Sequence, residues 1–371
     1  MIGKLDNILV VSLQGIGDLL LTTPLLHGIK KAFPMAKLYI LTFNANKDIL
    51  SGNSDVDEII TFDYKNKSNI LKVLTLLFDL RKRRFDLSVC PYPSGLRSAF
   101  IGYLSGARER FGQRLSLFKN YRWVFTNQTP ITEVKHAVLM NLDFLRLLGI
   151  DFKDVDTRIV FNLNDEDKKF ASEFLRDNNV EDKDLLIAVH AGGGRYTIAY
   201  RNWSAERFAR VCDGLVERFK AKVILIGGKD DEMIVKRVIS MMRQKPISAV
   251  KKASLKQTAV LIQRVKLLIC NNSAPMHIAA ALGTPTVSIF GSVDPRIHRP
   301  WGEGHIVLRK TLECSPCYYP TLRDTLKETK LKNRWFGRKF KCKTGDYSCL
   351  TSVSIEDVLN ATKTILKIKK L

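Results

Sequence analysis

The stretch Val265–Pro295, VKLLICNNSAPMHIAAALGTPTVSIFGSVDP, decides the fold of this chain. Two apolar runs, 267–270 and 285–290, have the length and composition of buried strands. Between them lies a helical segment that begins at Pro275 and ends before Gly283. Proline in a first turn and glycine after a last turn are typical of helix ends. The pattern therefore predicts a strand–helix–strand unit of a parallel sheet.

Polar residues follow both predicted strands. Asn271, Asn272 and Ser273 come after the first, and Ser292 and Asp294 come after the second. Parallel α/β sheets bind ligands beyond the carboxyl ends of their strands. A helix that begins there offers unpaired backbone N–H groups and a partial positive charge to an anion. We therefore expect a phosphate- or nucleotide-binding edge here.

Length and composition predict a globular protein with two domains. The chain has 371 residues, of which 45% are hydrophobic and 26% charged, and one hydrophobic core rarely serves a chain of that length. No apolar run reaches the length of a membrane span. The first apolar run, 8–13, leads into a glycine turn rather than a cleavage site, so we expect no signal peptide and a cytoplasmic protein.

The net charge of +23 favours an anionic partner. A general contribution to solubility is the alternative. The densest basic segment, 321–343, mixes Lys and Arg with Trp335, Phe336 and Phe340, which suits an anionic membrane interface. A nucleic-acid partner is not expected, because the chain has no recognisable nucleic-acid-reading motif.

The seven cysteines form two groups. We expect Cys90, Cys212 and Cys270 to be small core residues, because each lies in or beside an apolar segment. The other four are Cys314, Cys317, Cys342 and Cys349. Four thiolates can hold zinc, but the second pair lacks the tight spacing of such sites. A zinc site and four free thiols both remain open.

The first strand, 8–13, runs into the turn Gln14–Asp18. Gly15 and Gly17 form a Gly-x-Gly pair, but the third glycine of a dinucleotide-binding motif is missing, so that signal is weak. Asp18 is either the N-cap of a long helix over 19–33 or a general base at the end of the first strand. The residues alone do not separate the two.

Strands and helices then alternate in two similar halves. The first half has strands at 37–43, 58–62 and 85–90, and helices at 69–84, 96–104 and 135–148. Arg108, Arg110, Arg114, Lys119 and Arg122 form a solvated face or an acceptor-binding rim. We place a linker at 151–166. The second half has strands at 185–190 and 222–226, and helices at 167–178, from Ser204 onwards, at 255–264 and at 354–369. Two Rossmann-like domains follow from this order.

Four stretches resemble family 9 glycosyltransferases of the lipopolysaccharide heptosyltransferase type. They are ILVVSLQGIGDLLLTTPLL, HAGGGRYTIAYRNWSAERFA, VILIGGKDDE and NNSAPMHIAAALGTPTVSIFGSVDP. The resemblance implies the α/β fold called GT-B, with two Rossmann-like domains facing a cleft and a C-terminal helix packing back. It places an acceptor-binding domain at 1–163, a nucleotide-sugar-binding domain at 164–350 and the closing helix at 351–371.

The resemblance also implies the site. Asp18 would be the base, and Arg201 would offset charge on the departing diphosphate. Gly15 and Gly17 would lie at the acceptor. The donor would be bound by His190, Gly192, Gly193, Gly194, Gly228, Glu232, Asn272, Ser273, Ala274, Pro275 and His277. For the two histidines a structural hydrogen bond is the alternative role.

The implied reaction is the inverting transfer of a heptose, or a similar sugar, from an ADP-activated donor to a lipopolysaccharide-core or related glycolipid. No cofactor or catalytic metal is expected, and the partners would be the nucleotide sugar, the anionic glycolipid and the inner membrane face. Asn272 and Ala274 depart from the Asp-Ser-Gly that is usual in the family. A different nucleotide sugar, a nucleotide-sugar 2-epimerase and a non-catalytic nucleotide-sugar-binding protein therefore stay open.

Overall fold

The computed structural model describes residues 4–63, 70–93, 95–114, 121–193, 202–317, 342 and 344–368. Within the described residues the chain divides into two compact units, with the boundary between Asn162 and Leu163. The basic segment 321–341, Gly194 and Arg201 lie outside the described residues.

The first unit is a parallel six-stranded sheet with flanking helices. Its strands run in the order β3-β2-β1-β4-β5-β6. They are β1 (Asn7–Val11), β2 (Lys37–Phe43), β3 (Glu58–Phe62), β4 (Leu87–Val89), β5 (Glu109–Gln113) and β6 (Asn127–Thr129). The helices are α1 (Ile16–Leu20), α2 (Thr23–Ala32), α3 (Ile70–Lys82), α4 (Leu96–Leu104) and α5 (Ala137–Leu147).

The second unit contains another parallel six-stranded sheet, in the order β12-β11-β10-β7-β8-β9. Its strands are β7 (Leu186–His190), β8 (Lys222–Leu225), β9 (Ile247–Ser248), β10 (Leu267–Asn271), β11 (Thr286–Ile289) and β12 (His305–Leu308). Its helices are α6 (Asp165–Asp177), α7 (Ala205–Phe219), α8 (Glu232–Met241), α9 (Leu255–Arg264), α10 (Ala274–Ala281), α11 (Pro295–His298), α12 (Ser348–Thr351) and α13 (Ile355–Ile368).

Both sheets have the strand order of a dinucleotide-binding fold, which confirms the predicted α/β class. In the first, β1 lies between β2 and β4, and in the second β7 lies between β8 and β10. From β1 the chain first crosses over to β2 on one side of the sheet and later returns to β4 on the other side. From β7 it crosses over to β8 and later returns to β10 in the same way. The helices diverge at such a switch point and leave a crevice at the carboxyl edge of the sheet.

The stretch Val265–Pro295 folds into the predicted strand–helix–strand unit. β10 and β11 pair in parallel through Leu268–Asn271 and Thr286–Ile289, and α10 connects them. Pro275 occupies the first turn of α10, and Gly283, just past its end, has a φ of +71°. A side chain is strained at that φ, so glycine suits the position.

One prediction about the first unit was wrong. The helix expected over 19–33 is two helices, α1 and α2, separated by a turn at residues 21–22. Pro24, which has no N–H to donate, lies in the first turn of α2.

The basic stretch from Arg108 to Arg122 contains strand β5, which the sequence did not predict. Arg108, Arg114 and Arg122 are exposed, as a solvated face requires, and Lys119 lies outside the described residues. Arg110 donates to the carbonyl oxygens of Val124 and Ala107, so its guanidinium braces the edge of the sheet.

Helix α13 packs against α7 in the second unit. Val358, Leu359 and Ile365 are buried, and the side chain of Leu359 lies where a Cβ on Gly214 of α7 would be, at 2.9 Å. The missing side chain at Gly214 thus lets the two helices approach closely. Within the described residues, no helix combines the length and the apolar character that crossing a membrane requires.

Candidate functional site

The switch point of the second sheet brings three predicted regions together. His190 is the last residue of β7, Asn271 is the last of β10, and Ser273 is the N-cap of α10. Because β7 and β10 are paired neighbours, their carboxyl ends meet at one edge of the sheet. The helix dipole of α10 points its positive end at the same edge.

A hydrogen-bonded chain links Asp231, His190 and Ser273. His190 Nε2 lies 3.3 Å from Asp231 Oδ2, and His190 Nδ1 lies 3.1 Å from the hydroxyl oxygen of Ser273. The histidine and aspartate side chains are almost fully buried. Asp231 Oδ2 also accepts from the backbone N–H of Gly228 at 2.9 Å. A buried carboxylate is stabilised by such donors.

This chain limits the hydrogen bonds that the Ser273 hydroxyl can make. A carboxylate only accepts hydrogen bonds, so the contact with Asp231 requires a proton on Nε2 of His190. In the neutral ring Nδ1 is then an acceptor, and the Ser273 O–H has two acceptors within reach, His190 Nδ1 at 3.1 Å and the carbonyl oxygen of Asn271 at 3.2 Å. The lone pairs of the hydroxyl are left for other donors.

Glycines make room for this chain. A Cβ on Gly192 would lie 1.9 Å from Asp231 Oδ1, and one on Gly227 would lie 3.0 Å from the Asp231 side chain. A Cβ on Gly193 would lie 2.4 Å from Asn202 Oδ1. The glycines after β7 and β8 thus have a structural role that their sequence did not reveal, since each lets a polar side chain pack against backbone.

Replacing Gly192 with Ala is expected to push the Asp231 carboxylate away from His190. We expect overpacking to lower the free energy of unfolding by about 1–3 kcal/mol. We also expect nucleotide ligands to raise the melting temperature less than in the unaltered chain. Gly228→Ala is the matched control for stability, because its Cβ would lie 3.9 Å from Asp231, an ordinary contact. Urea denaturation would compare the two. Equal behaviour would contradict the role assigned to Gly192.

Asn271 is a residue whose role the sequence did not predict. Its side chain is buried; Oδ1 accepts from the backbone N–H of Trp203 at 3.0 Å, and Nδ2 donates to the carbonyl of Ala191 at 3.1 Å. One amide thus joins the end of β10 to the loops before α7 and after β7. A polar residue closing an apolar strand is the signal that could have indicated it.

The first turn of α10 is the accessible part of the site. Asn272, Ser273, Ala274 and Pro275 are half-buried, whereas His277, one turn further on, is buried. A helix start has unpaired N–H groups, and this one has a hydroxyl oriented beside it. The arrangement can receive an anionic group of the size of a phosphate.

Glu232 lies at the first residue of α8. Lys236 and Lys251 contact its two oxygens at 3.0 and 3.1 Å. The hydrogen bond from Lys236 and then that from Lys251 hold the pKa of Glu232 below its usual value. The carboxylate is therefore charged, and two lysines balance it.

In the first unit, Asp18 lies at the carboxyl edge of the sheet. The N-cap of α1 is Gly15, so Asp18 is in the first turn of the helix rather than its cap, and the N-cap alternative was wrong. A Cβ on Gly15 would lie 3.6 Å from Asp18 Oδ2. Gly17 is also in this turn. The first turn of a helix favours the anionic form of a carboxylate.

The four C-terminal cysteines are free thiols. Burial raises the pKa of Cys317 to about 11, and the neighbouring thiols of Cys349, Cys314 and Cys342 add to the effect. In the described part of the chain, however, no three His, Cys, Asp or Glu side chains are placed to hold a metal ion.

The other three cysteines are core residues, as predicted. Cys90, Cys212 and Cys270 are buried. Burial raises the pKa of Cys90 to about 12 and raises the pKa values of the other two further.

Comparisons with known proteins agree with this architecture. The sequence model of Glycosyltransferase family 9 (heptosyltransferase) matches residues 73–325. Lipopolysaccharide heptosyltransferase 3 of Escherichia coli strain K12 is 31% identical over 297 residues, which are 78% of this chain and 84% of that protein.

Solved structures are similar over almost the whole chain. The family 9 glycosyl transferase from Veillonella parvula DSM 2008 is 26% identical, with a TM-score of 0.79 and 97% of each chain covered. The Escherichia coli ADP-heptose lipopolysaccharide heptosyltransferase II is 17% identical, with a TM-score of 0.73 and coverage of 98% of this chain and 100% of that one. These likenesses confirm the predicted GT-B type of α/β fold.

Proposed function

This chain belongs to glycosyltransferase family 9, the heptosyltransferase family, and we propose that it moves a heptose from ADP-heptose to a lipopolysaccharide-core or related glycolipid. The enzyme class, a glycosyltransferase, follows from the family. The donor, the acceptor and the stereochemistry are the proposal.

The observation that carries the proposal is the half-exposed first turn of α10 at the switch point of the second sheet. Behind this turn, Asp231, His190 and Ser273 are linked by hydrogen bonds. A diphosphate placed there would receive backbone N–H groups and the positive end of the helix dipole. The names of the relatives supply the donor, since one solved structure is described as an ADP-heptose transferase.

In the proposed reaction, Asp18 takes the proton of the acceptor hydroxyl, and the resulting oxygen attacks the anomeric carbon of the donor. The bond between that carbon and the diphosphate breaks, and ADP leaves with the bonding electrons. A single displacement inverts the anomeric configuration. Asp18 supplies general-base catalysis, and charge stabilisation on the diphosphate falls to the α10 N-terminus and to Arg201.

We propose that this reaction needs no cofactor and no catalytic metal. The leaving diphosphate requires positive charge, and the helix start together with an arginine can provide it. Donor-binding roles for His190, Gly192, Gly193, Gly194, Gly228, Glu232, Asn272, Ser273, Ala274, Pro275 and His277 belong to the same proposal, as do acceptor contacts by Gly15 and Gly17.

We assign the acceptor to the first unit and the donor to the second. The acceptor would be an anionic glycolipid, and the net charge of +23 favours its approach. Such an acceptor is anchored in a membrane, so we place the enzyme at the cytoplasmic face of the inner membrane, without a nucleic-acid partner.

A different nucleotide sugar is the second candidate, and one feature favours it. Asn272 and Ala274 stand in the half-exposed first turn at α10, where an acidic residue and glycine are usual in the family. The amide of Asn272 can hydrogen-bond sugar hydroxyls but carries no charge. The methyl group of Ala274 leaves less space for a ligand beside the backbone. Either change could shift the sugar that is accepted.

A thermal-shift screen against ADP, UDP, GDP and their sugar conjugates tests the donor. A ligand at one hundred times its dissociation constant stabilises the folded state by about 2.7 kcal/mol. We expect ADP and ADP-heptose to raise the melting temperature most. Preference for another nucleotide would replace the donor but keep the transferase. No shift with any of them at millimolar concentration would overturn the proposed donor site.

A further inference from the structure

Helix α3 carries apolar side chains that the fold leaves exposed. Leu71 is 70% exposed, Leu74 is 55% exposed and Phe78 is 59% exposed. Their spacing of three and four residues puts them on one face of the helix. Exposed apolar residues that are contiguous, rather than scattered, mark interaction surfaces.

An aromatic cluster lies on the elements beside α3. Tyr103 of α4 meets Trp123 edge-to-face, with ring centroids 5.1 Å apart, and Phe100 lies 6.1 Å from Trp123. Trp123 is 57% exposed. Arg81 of α3 donates to the carbonyl of Leu104, the residue after Tyr103, so α3 and the end of α4 are neighbours.

Basic side chains are interleaved with this surface. The charged residues of α3 are Lys72, Asp79, Arg81 and Lys82, and all four are exposed. Lys82 Nζ lies 4.3 Å from the centre of the Phe78 ring. Arg122 next to Trp123 is exposed as well. Helix α3 thus carries three cations and one anion, and Arg122 adds a fourth cation.

We propose that Leu71, Leu74, Phe78, Tyr103 and Trp123, which we call the α3–α4 patch, dock the protein on an anionic lipid bilayer. Aliphatic side chains enter the acyl boundary, Trp and Tyr stay at headgroup level, and Lys and Arg meet lipid phosphates. The excess of cations is what selects an anionic bilayer as the occupant rather than a second copy of this basic chain, which would be repelled. The inference deepens the proposed function and rests on it for the membrane-anchored acceptor.

Flotation of the whole chain with vesicles tests the α3–α4 patch. Vesicles of phosphatidylcholine with about one third phosphatidylglycerol would be compared with pure phosphatidylcholine. We expect binding to the anionic vesicles only, weakened by salt. A Leu74→Ser, Phe78→Ser double variant should bind at least about tenfold more weakly. A Lys72→Glu, Lys82→Glu variant should lose the preference for anionic lipid.

Met35→Ser is the matched control, because Met35 is 90% exposed and lies outside the patch. It should bind vesicles as the unaltered chain does. Unchanged binding by the double serine variant, or no binding by the unaltered chain, would overturn the inference. So would a dimer of the unaltered chain that the serine variant converts to a monomer, since a second copy would then cover the patch.

The nucleotide-induced thermal shift separates this inference from the proposed function. The double serine variant should keep the shift of the unaltered chain, because its residues are distant in sequence and in unit from α10. If the unaltered chain binds nucleotide but not vesicles, the docking inference fails and the proposed function stands. If it binds vesicles but no nucleotide, the docking inference stands and the proposed donor site fails.

Discussion

Replacing Asp18 with Asn should lower kcat by roughly 10²–10⁴-fold, the usual contribution of a general base. The amide has the shape of the carboxylate but cannot take a proton from the acceptor. Donor binding should not change, because the proposed donor site lies in the other unit. Steady-state transfer kinetics and the nucleotide-induced thermal shift, measured on the same preparation, check both halves of the expectation.

Asp165→Asn is the matched control, since Asp165 is also in the first turn of a helix and its side chain is 97% exposed. It should leave kcat unchanged. An Asp18→Asn enzyme that keeps most of its turnover would show that another group takes the proton. Loss of nucleotide binding in that variant would point instead to a donor contact.

Replacing Trp203 with Ala should lower the stability of the second unit by about 3–5 kcal/mol, the cost of removing a large buried aromatic side chain. Trp203 is fully buried and packs edge-to-face on Phe208 at 5.3 Å. Its indole N–H donates to the carbonyl of Val353 at 3.1 Å, just before α13. The change thus loosens the sheet, the loop before α7 and the C-terminal helix together.

Urea denaturation followed by circular dichroism measures this effect. Trp123→Ala is the control: Trp123 is largely exposed, so it should cost no more than about 0.5–1 kcal/mol. Trp203→Phe should recover part of the loss, because it restores most of the packing but not the hydrogen bond to Val353. Equal destabilisation by the two alanine variants would contradict the structural role of Trp203.

Local sequence signals were sufficient for much of the fold. The helix over 255–264 was predicted with its observed bounds, and Ser254 and Gln257 form a capping box that fixes its start. Ser204 was predicted as the N-cap of α7, and its hydroxyl does accept from the N–H of Arg207 at 3.4 Å. Signals of this kind act over three or four residues.

The missed strands lacked such signals. β5 reads ERFGQ and β6 reads NQT, and neither is apolar enough to be recognised alone. β5 lies between β4 and β6, and β6 is the edge strand. Both strands are held by parallel backbone pairing with their neighbours, which does not require an apolar sequence. Pairing with the neighbouring strands therefore outweighed the local composition.

The sequence predicted the polar turn after β10 but not the hydrogen bonds that its side chains make. The turn at Ser273 could be expected from the decisive stretch, yet its hydroxyl bonds His190, 83 residues away, and His190 bonds Asp231, 41 residues away. Gly192 was expected to lie near a ligand, and the structure adds that its missing side chain makes room for Asp231. Such contacts depend on how distant segments pack, which no local pattern encodes.

The most direct measurement incubates the purified chain with ADP-heptose and a lipopolysaccharide-core glycolipid that lacks a heptose. Mass spectrometry of the glycolipid and quantification of released ADP would be read together. The proposed function predicts that the acceptor gains one heptose for each ADP released, and that the Asp18→Asn variant produces neither. An unmodified acceptor with intact ADP-heptose, under conditions in which another nucleotide sugar is consumed, would contradict it.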